Sequence, residues 1–218
     1  MSHGVHAVQH EAEHKMQHDE EHAKGKGGGS HVDMSNINKK IALLIAVIAL
    51  FLAFSETLGK SAQTNALNHQ IEASNLWNFF QAKNIRRTST IVATEQAKID
   101  LPGVTNDAQK AAYTKQIDDW IKTAARYRSE PEAGGGKGEG TVELMRRALD
   151  EQKLRDTALA KYHHYEVASA AFQIGIVLAS ATVITGMVAL SYLAAGLGVV
   201  GLAFMAIGLF APHAVHLF

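Results

Sequence analysis

Apolar positions follow two contrasting patterns along this chain. Residues 41–55 and 167–218 contain no Lys, Arg, Asp or Glu and are dominated by Ala, Gly, Val, Ile, Leu and Phe, whereas elsewhere apolar residues alternate with charged ones at helical spacing. A helix rises about 1.5 Å per residue and a bilayer core is about 30 Å thick, so about 20 apolar residues span it. The C-terminal run is long enough for two crossings. The earlier run reaches spanning length when Lys39 and Lys40 snorkel at one end and Ser55, Thr57 and Leu58 extend the other. The pattern therefore predicts transmembrane helices at 37–58, 167–193 and 194–212, followed by a short tail, 213–218. Within the last run, Ala194, Ala195, Gly196, Leu197 and Gly198 form the most flexible stretch, and a tight helical hairpin is expected there.

Between the first and second spans lies a charged block, 59–166. It holds no proline before Pro102, so the first span is expected to continue as a stalk to about Lys98. Pro102 and Gly103 break it, and Asn106 is placed to cap a helix in which Tyr113, Ile117, Trp120, Ile121, Ala124 and Tyr127 form one apolar stripe. Residues 131–140 contain five glycines and read as a flexible connector. From Thr141 a helical pattern resumes at Leu144, Met145, Ala148, Leu149, Leu154, Ala158, Leu159 and Tyr162, and nothing interrupts it before the second span. Residues 1–36 are poor in bulky apolar residues, include Gly27, Gly28 and Gly29, and are expected to form a mobile arm. The expected fold is an all-α integral membrane protein with three transmembrane helices and a helical, coiled-coil-like extramembrane block between the first and second.

Charge adds one restriction. The chain has 21 basic and 21 acidic residues, so bulk electrostatics favours no nucleic-acid partner. It has no cysteine, which excludes disulfides and thiolate chemistry. Basic Lys24, Lys26, Lys39 and Lys40 precede the first span and place the N-terminus in the cytoplasm, with the helical block in the periplasm.

Candidate chemistry is sparse. His6, His10, His14, His18 and His22 recur every four residues, and on a helix neighbouring pairs could share a Zn, Ni or Cu ion. The stripe drifts about 40° per four-residue step, so the five do not align, and a solvated polar tail is the reading favoured over a metal site. These imidazoles could also sense pH. Residues 134–141 superficially resemble a phosphate loop, but no strand precedes them and no Gly-Lys-Ser/Thr order occurs, which leaves a linker. Small-residue stripes at Ala42, Ala46, Ala49 and Ala53, and at Ala171, Gly175 and Ala179, suit close packing of lipid-embedded helices. Gln173 and Thr182 could hydrogen-bond between spans, Glu56 lies at interfacial depth, and His213 and His216 mark the exit of the last span. Leu76, Trp77, Phe79 and Phe80 concentrate apolar surface on the stalk and must meet another helix of the block or another subunit.

The segment QIEASNLWNFFQAKNIRR at 70–87, together with YHHYEVASAAFQIGIVLAS at 162–180 and the His/Glu-rich arm, resembles an uncharacterised bacterial membrane-protein family catalogued as domain of unknown function 4337. The resemblance implies three spans, a helical extramembrane block and a cytoplasmic N-terminus in a bacterial inner membrane. It supplies no activity and no catalytic residue. The expected role is non-enzymatic, without cofactor or small-molecule substrate: self-association, or scaffolding of a membrane complex through helical stalks. The alternative is a metal-linked or pH-responsive membrane protein that uses the His-rich arm.

Overall fold

The computed structural model describes residues 30–215. Helix α1 (Ser30–Asp100) is followed by a 3-10 turn (Leu101–Gly103), α2 (Asp107–Arg128), α3 (Thr141–Thr185) and α4 (Val188–Phe210), with no strand among the described residues. Helices α1, α3 and α4 are each long and apolar enough to cross a membrane. The chain divides into two compact units, one comprising Asn65–Asp156 and the other the flanking residues through Thr64 and from Thr157.

In the flanking unit, Ile41, Ile45 and Ile48 of α1 pack with Ala168, Phe172, Ile176 and Ala179 of α3 and Ala194 of α4. Phe172 stacks on Phe51 with ring centroids 6.2 Å apart. Apolar side chains face outward as well as inward. Leu43, Leu50, Phe54, Ile174, Leu193 and Phe210 are exposed, whereas Ser55, Ser180 and Thr182 are buried. Two of these three buried hydroxyls have carbonyl partners and Ser180 has none: Ser55 donates to the Tyr165 carbonyl across α1 and α3 at 2.9 Å, and Thr182 bonds back to Leu178 at 3.1 Å. Gln173 reaches Glu56 at 3.4 Å, so of the two expected interspan donors Gln173 alone bridges helices.

The expected position of the hairpin is corrected here. The chain turns at Gly186 and Met187, so the helices end and begin at Thr185 and Val188, and residues 194–198 lie inside α4. Gly186 adopts φ +73°, a left-handed conformation that a side chain resists, and its N–H still reaches the Thr182 carbonyl at 2.8 Å. Glycine density had pointed to the wrong place because three of the four glycines of α4, Gly198, Gly201 and Gly208, are buried in helix contacts: a Cβ at Gly201 would lie 2.6 Å from the Phe172 ring. The small residues of the α1 stripe, which suit packing within the chain or between copies, are less buried than Ile41, Ile45 and Ile48. Ala46 and Ala53 are exposed and Ala42 and Ala49 half-buried, and the buried stripe is the isoleucine one; on α3, Ala171, Gly175 and Ala179 are buried as a close-packing stripe.

In the unit 65–156, a series of buried or half-buried α1 positions runs 66, 69, 73, 76, 80, 83, 87, 90, 94 and 97, with Trp77, Ile91 and Ala93 half-buried beside it. The series alternates steps of three and four, the seven-residue period that keeps one seam facing a partner along an underwound helix. Positions 41, 45, 48, 52, 55, 59 and 62 follow the same period in the other unit. Two helices share the seam of 65–156. Leu76 packs on Leu144 and Ala148 of α3, flanked by Trp77 and Phe80. Tyr127, at the end of α2, comes back to Lys83, so α2 runs antiparallel to α1. Asn106 caps α2 as expected, its side chain accepting from the Gln109 N–H at 3.1 Å.

Candidate functional site

The most elaborate polar arrangement in 65–156 forms where α2 ends and α3 begins, opposite Lys83 of α1. Lys83 occupies a seam position in phase with Leu76 and Phe80, which carries its stem into the interior. Its ammonium lies 3.2 Å from Glu130 and 3.8 Å from Glu139, with the Phe79 and Tyr127 rings at 5.4 and 6.0 Å. The side chain is 9% exposed, so a carboxylate pair and two ring faces replace its hydration.

Glu143 closes the same junction from the first turn of α3. Its carboxylate accepts from the Ser129 hydroxyl and from the Glu130 N–H at 3.3 Å, thereby holding the end of α2 against the start of α3. Burial would push the Glu143 carboxyl up, but the Ser129 and backbone hydrogen bonds and the nearby Arg146 charge outweigh it and hold the group below its ordinary value. A carboxyl lowered in the folded state contributes stability above the ordinary carboxylate range and loses that contribution as pH falls through its folded value. Both tryptophans, Trp77 and Trp120, lie in this unit, so their emission reports on it. Acid titration followed by this emission is expected to show loss of unit stability below the ordinary carboxylate range, and Glu143→Gln is expected to flatten that dependence while costing about 1–2 kcal/mol near neutrality. An unchanged acid profile in the variant would remove Glu143 from this role.

The glycine-rich segment is therefore a closed turn, which corrects the expectation of a flexible connector. The N–H groups of Gly136, Gly138 and Glu139 bond to carbonyls of Glu132, Ala133 and Glu130, and Arg147 donates to the Gly138 carbonyl at 3.1 Å. Those N–H groups are consumed within the turn and do not converge on an external anion. At Gly140 a Cβ would meet the Ser129 Cα at 2.5 Å, so glycine is required for α2 and α3 to approach this closely.

Chemically, the junction is a clasp. Its ammonium is neutralised by carboxylates already bonded to it, and both Glu143 oxygens are engaged by the α2 terminus. A second polar pair on the seam, His69 Nδ1 and Glu151 at 2.7 Å, joins α1 to α3, beside Arg155 bonding Gln70 at 2.7 Å. A half-buried polar pair among apolar seam positions favours one register of two helices.

Of the residues singled out from sequence, Leu76, Trp77 and Phe80 are spent on packing inside the unit, with Trp77 edge-on to Phe80 at 5.4 Å. Phe79 is 40% exposed and lies beneath Lys83. His6, His10, His14, His18, His22 and His216 lie outside the described residues. Among the described residues, no group of three or more His, Asp or Glu is placed to hold a metal ion. His213 Nε2 lies 3.1 Å from Thr157, and His164, unremarked in the sequence pattern, is buried and donates through Nε2 to the Pro212 carbonyl at 3.0 Å, tying α3 to the end of α4. Lys83 and Glu143 were also missed. For Lys83 the signal available was register, since it falls seven residues after Leu76, whereas Glu143 is turned about 100° from Leu144 on α3 and register did not mark it.

No curated protein and no solved structure matches the chain. A family model does match, over residues 37–211, and takes in α1 from residue 37 onward, all of α2, α3 and α4, and the junction around Lys83. The chain belongs to the family described as Domain of unknown function (DUF4337).

Proposed function

We propose that this protein is a non-enzymatic, multi-pass protein of a bacterial inner membrane that self-associates or scaffolds a membrane complex through its helical stalk. The observation that carries the reading is the contrast in charge between the two units: residues 41–55 and 167–210 hold no Lys, Arg, Asp or Glu, whereas 65–156 is rich in them. The unit built from α1, the later part of α3 and α4 exposes Leu43, Leu50, Phe54 and Phe210 and buries Ser55, Ser180 and Thr182, which suits lipid as solvent. The 65–156 unit buries Leu76, Leu144 and Ala148 and exposes most of its charges, which suits water. The sustained seven-residue seam of α1 supports a coiled-coil stalk, an architecture used for holding partners at a fixed register. The N-terminus is cytoplasmic and the helical block periplasmic in this reading, on the strength of Lys39 and Lys40 before the first span.

Two measurements test it. Protease added to intact spheroplasts is expected to cleave within 65–156, and protection of that unit would reverse the orientation. Light scattering of the full chain in mild detergent is expected to show an oligomer or a stable complex. A monodisperse monomer that yields no cross-linked species in membranes would overturn the reading.

A further inference from the structure

Helix α1 carries a second apolar stripe, on the side away from its seam. Ile71, Asn78, Ile85, Val92 and Ile99 follow one another at intervals of seven, and the four aliphatic members are 51%, 67%, 59% and 73% exposed. The outermost position of a solvated coiled coil is ordinarily polar and often charged. Here the positions four residues after Ile71, Asn78, Ile85 and Val92 hold Asn, Ala, Ser and Gln, all exposed and none charged. Glu72, Arg86 and Lys98 lie to either side. A strict seven-residue stripe on a straight helix drifts about 20° per repeat, but underwinding along the seam removes that drift and lines these residues up along one edge.

We infer that this edge is a homodimerisation surface, on which α1 of one copy packs in parallel and in register against α1 of a second copy. The inference rests on the membrane-anchored, self-associating reading above, and it names the surface and the partner. Both copies enter the same bilayer through the first part of α1, so their stalks run in the same direction and a two-fold axis lies between them. In that arrangement each stripe residue meets its own counterpart. Asn78 then meets Asn78, where two amides can bond each other, whereas any shifted register sets it against Ile or Val. A single Asn among β-branched apolar residues is the device that selects a parallel two-stranded register. The absence of charge along the edge matches an equally uncharged partner, since a charged one would be desolvated without a counter-ion. The extent is modest. From Ile71 to Ile99 the helix rises about 42 Å, and a strip about 10 Å wide offers roughly 420 Å² per copy, or about 840 Å² in total, the size of a small, weak interface, which anchoring of both copies in one bilayer reinforces by raising their effective concentration.

The chain has no cysteine, so single replacements report without background. Ile71→Cys, Ile85→Cys and Ile99→Cys, each in the full chain in native membranes, are expected to form disulfide-linked dimers on mild oxidation. Asn84→Cys, turned about 100° from Ile85, is expected to remain monomeric on a gel. In detergent, Ile85→Lys combined with Val92→Lys is expected to abolish the dimer with helical content unchanged, because both positions are exposed. Cross-linking of Ile71→Cys only when mixed with Ile99→Cys would show antiparallel pairing and overturn the inference. So would an oligomer that survives the double lysine variant while none of the three cysteines cross-links; association would then use another face, and the broader reading would stand. A wild-type chain that is monomeric in both settings would sink both together.

Discussion

Replacing Phe172 by alanine is expected to destabilise the three-helix core of α1, α3 and α4 by about 3–5 kcal/mol, the usual cost of emptying a fully buried aromatic site. The Phe172 side chain is 1% exposed, stacks on Phe51 at 6.2 Å and occupies the space left by the missing side chain of Gly201. The pair makes a sharper test than the single change. Gly201→Ala alone places a methyl 2.6 Å from the ring and forces an overpacked core, costing about 1–3 kcal/mol. In the Phe172→Ala background that methyl enters an empty site, so the second substitution is expected to be neutral or restorative. Detergent-denaturant titrations followed by helical circular dichroism give the four stabilities of the cycle. Purely additive costs would show that the ring and the glycine are not packed as described.

The second large effect is expected at Lys83. Lys83→Ala removes the cation from between Glu130 and Glu139 and the stem from between the Phe79 and Tyr127 rings. Breaking a wholly buried pair costs about 3–5 kcal/mol, but the two carboxylates are 29% and 36% exposed, and their partial hydration lowers the expected loss to about 2–3 kcal/mol. Lys83→Met keeps the stem volume and leaves only the unpaired acids, so an intermediate loss is expected. Adding Glu130→Gln and Glu139→Gln to Lys83→Met is expected to recover most of it, since an apolar side chain with neutral neighbours can replace a buried ion pair. Urea unfolding followed by Trp77 and Trp120 emission reads these differences. If Lys83→Ala and Lys83→Met lose equally, the charge matters and the stem does not; if Lys83→Ala loses nothing, the junction is not a clasp.

The elements themselves were legible because each depends on local chemistry. Uncharged runs marked the three helices of spanning length, Asn106 marked the start of α2, and Pro102 the end of α1. The α4 boundary was misplaced because glycine signals both a turn and a close helix contact. Gly186 has the turn conformation, whereas Gly198 and Gly201 are buried inside a helix, and only the neighbours Ile48 and Phe172 distinguish the two uses. The glycine-rich segment 131–140 was misread for a related reason. Its glycines permit positive φ, but whether such a chain wanders or closes depends on acceptors, which Glu130, Ala133 and Glu143 supply. Lys83 could not be recognised as interior from its identity, because a lysine is placed by the register of its helix and by the acids that meet it.

By itself, then, the chain's order of residues determined an all-helical fold with three apolar helices, their approximate extents, and a charged helical segment between the first and second. These follow from period, length and the cost of exposing or burying backbone and charge, all properties of contiguous residues. The tertiary structure alone decided where the last two helices turn, which residues of α1 form the seam, and that Lys83, Glu130, Glu139 and Glu143 meet at one junction. It also decided that Ile71, Ile85, Val92 and Ile99 remain uncovered. Those outcomes depend on which faces of distant segments meet, and burial at a given position is settled by the neighbour that covers it.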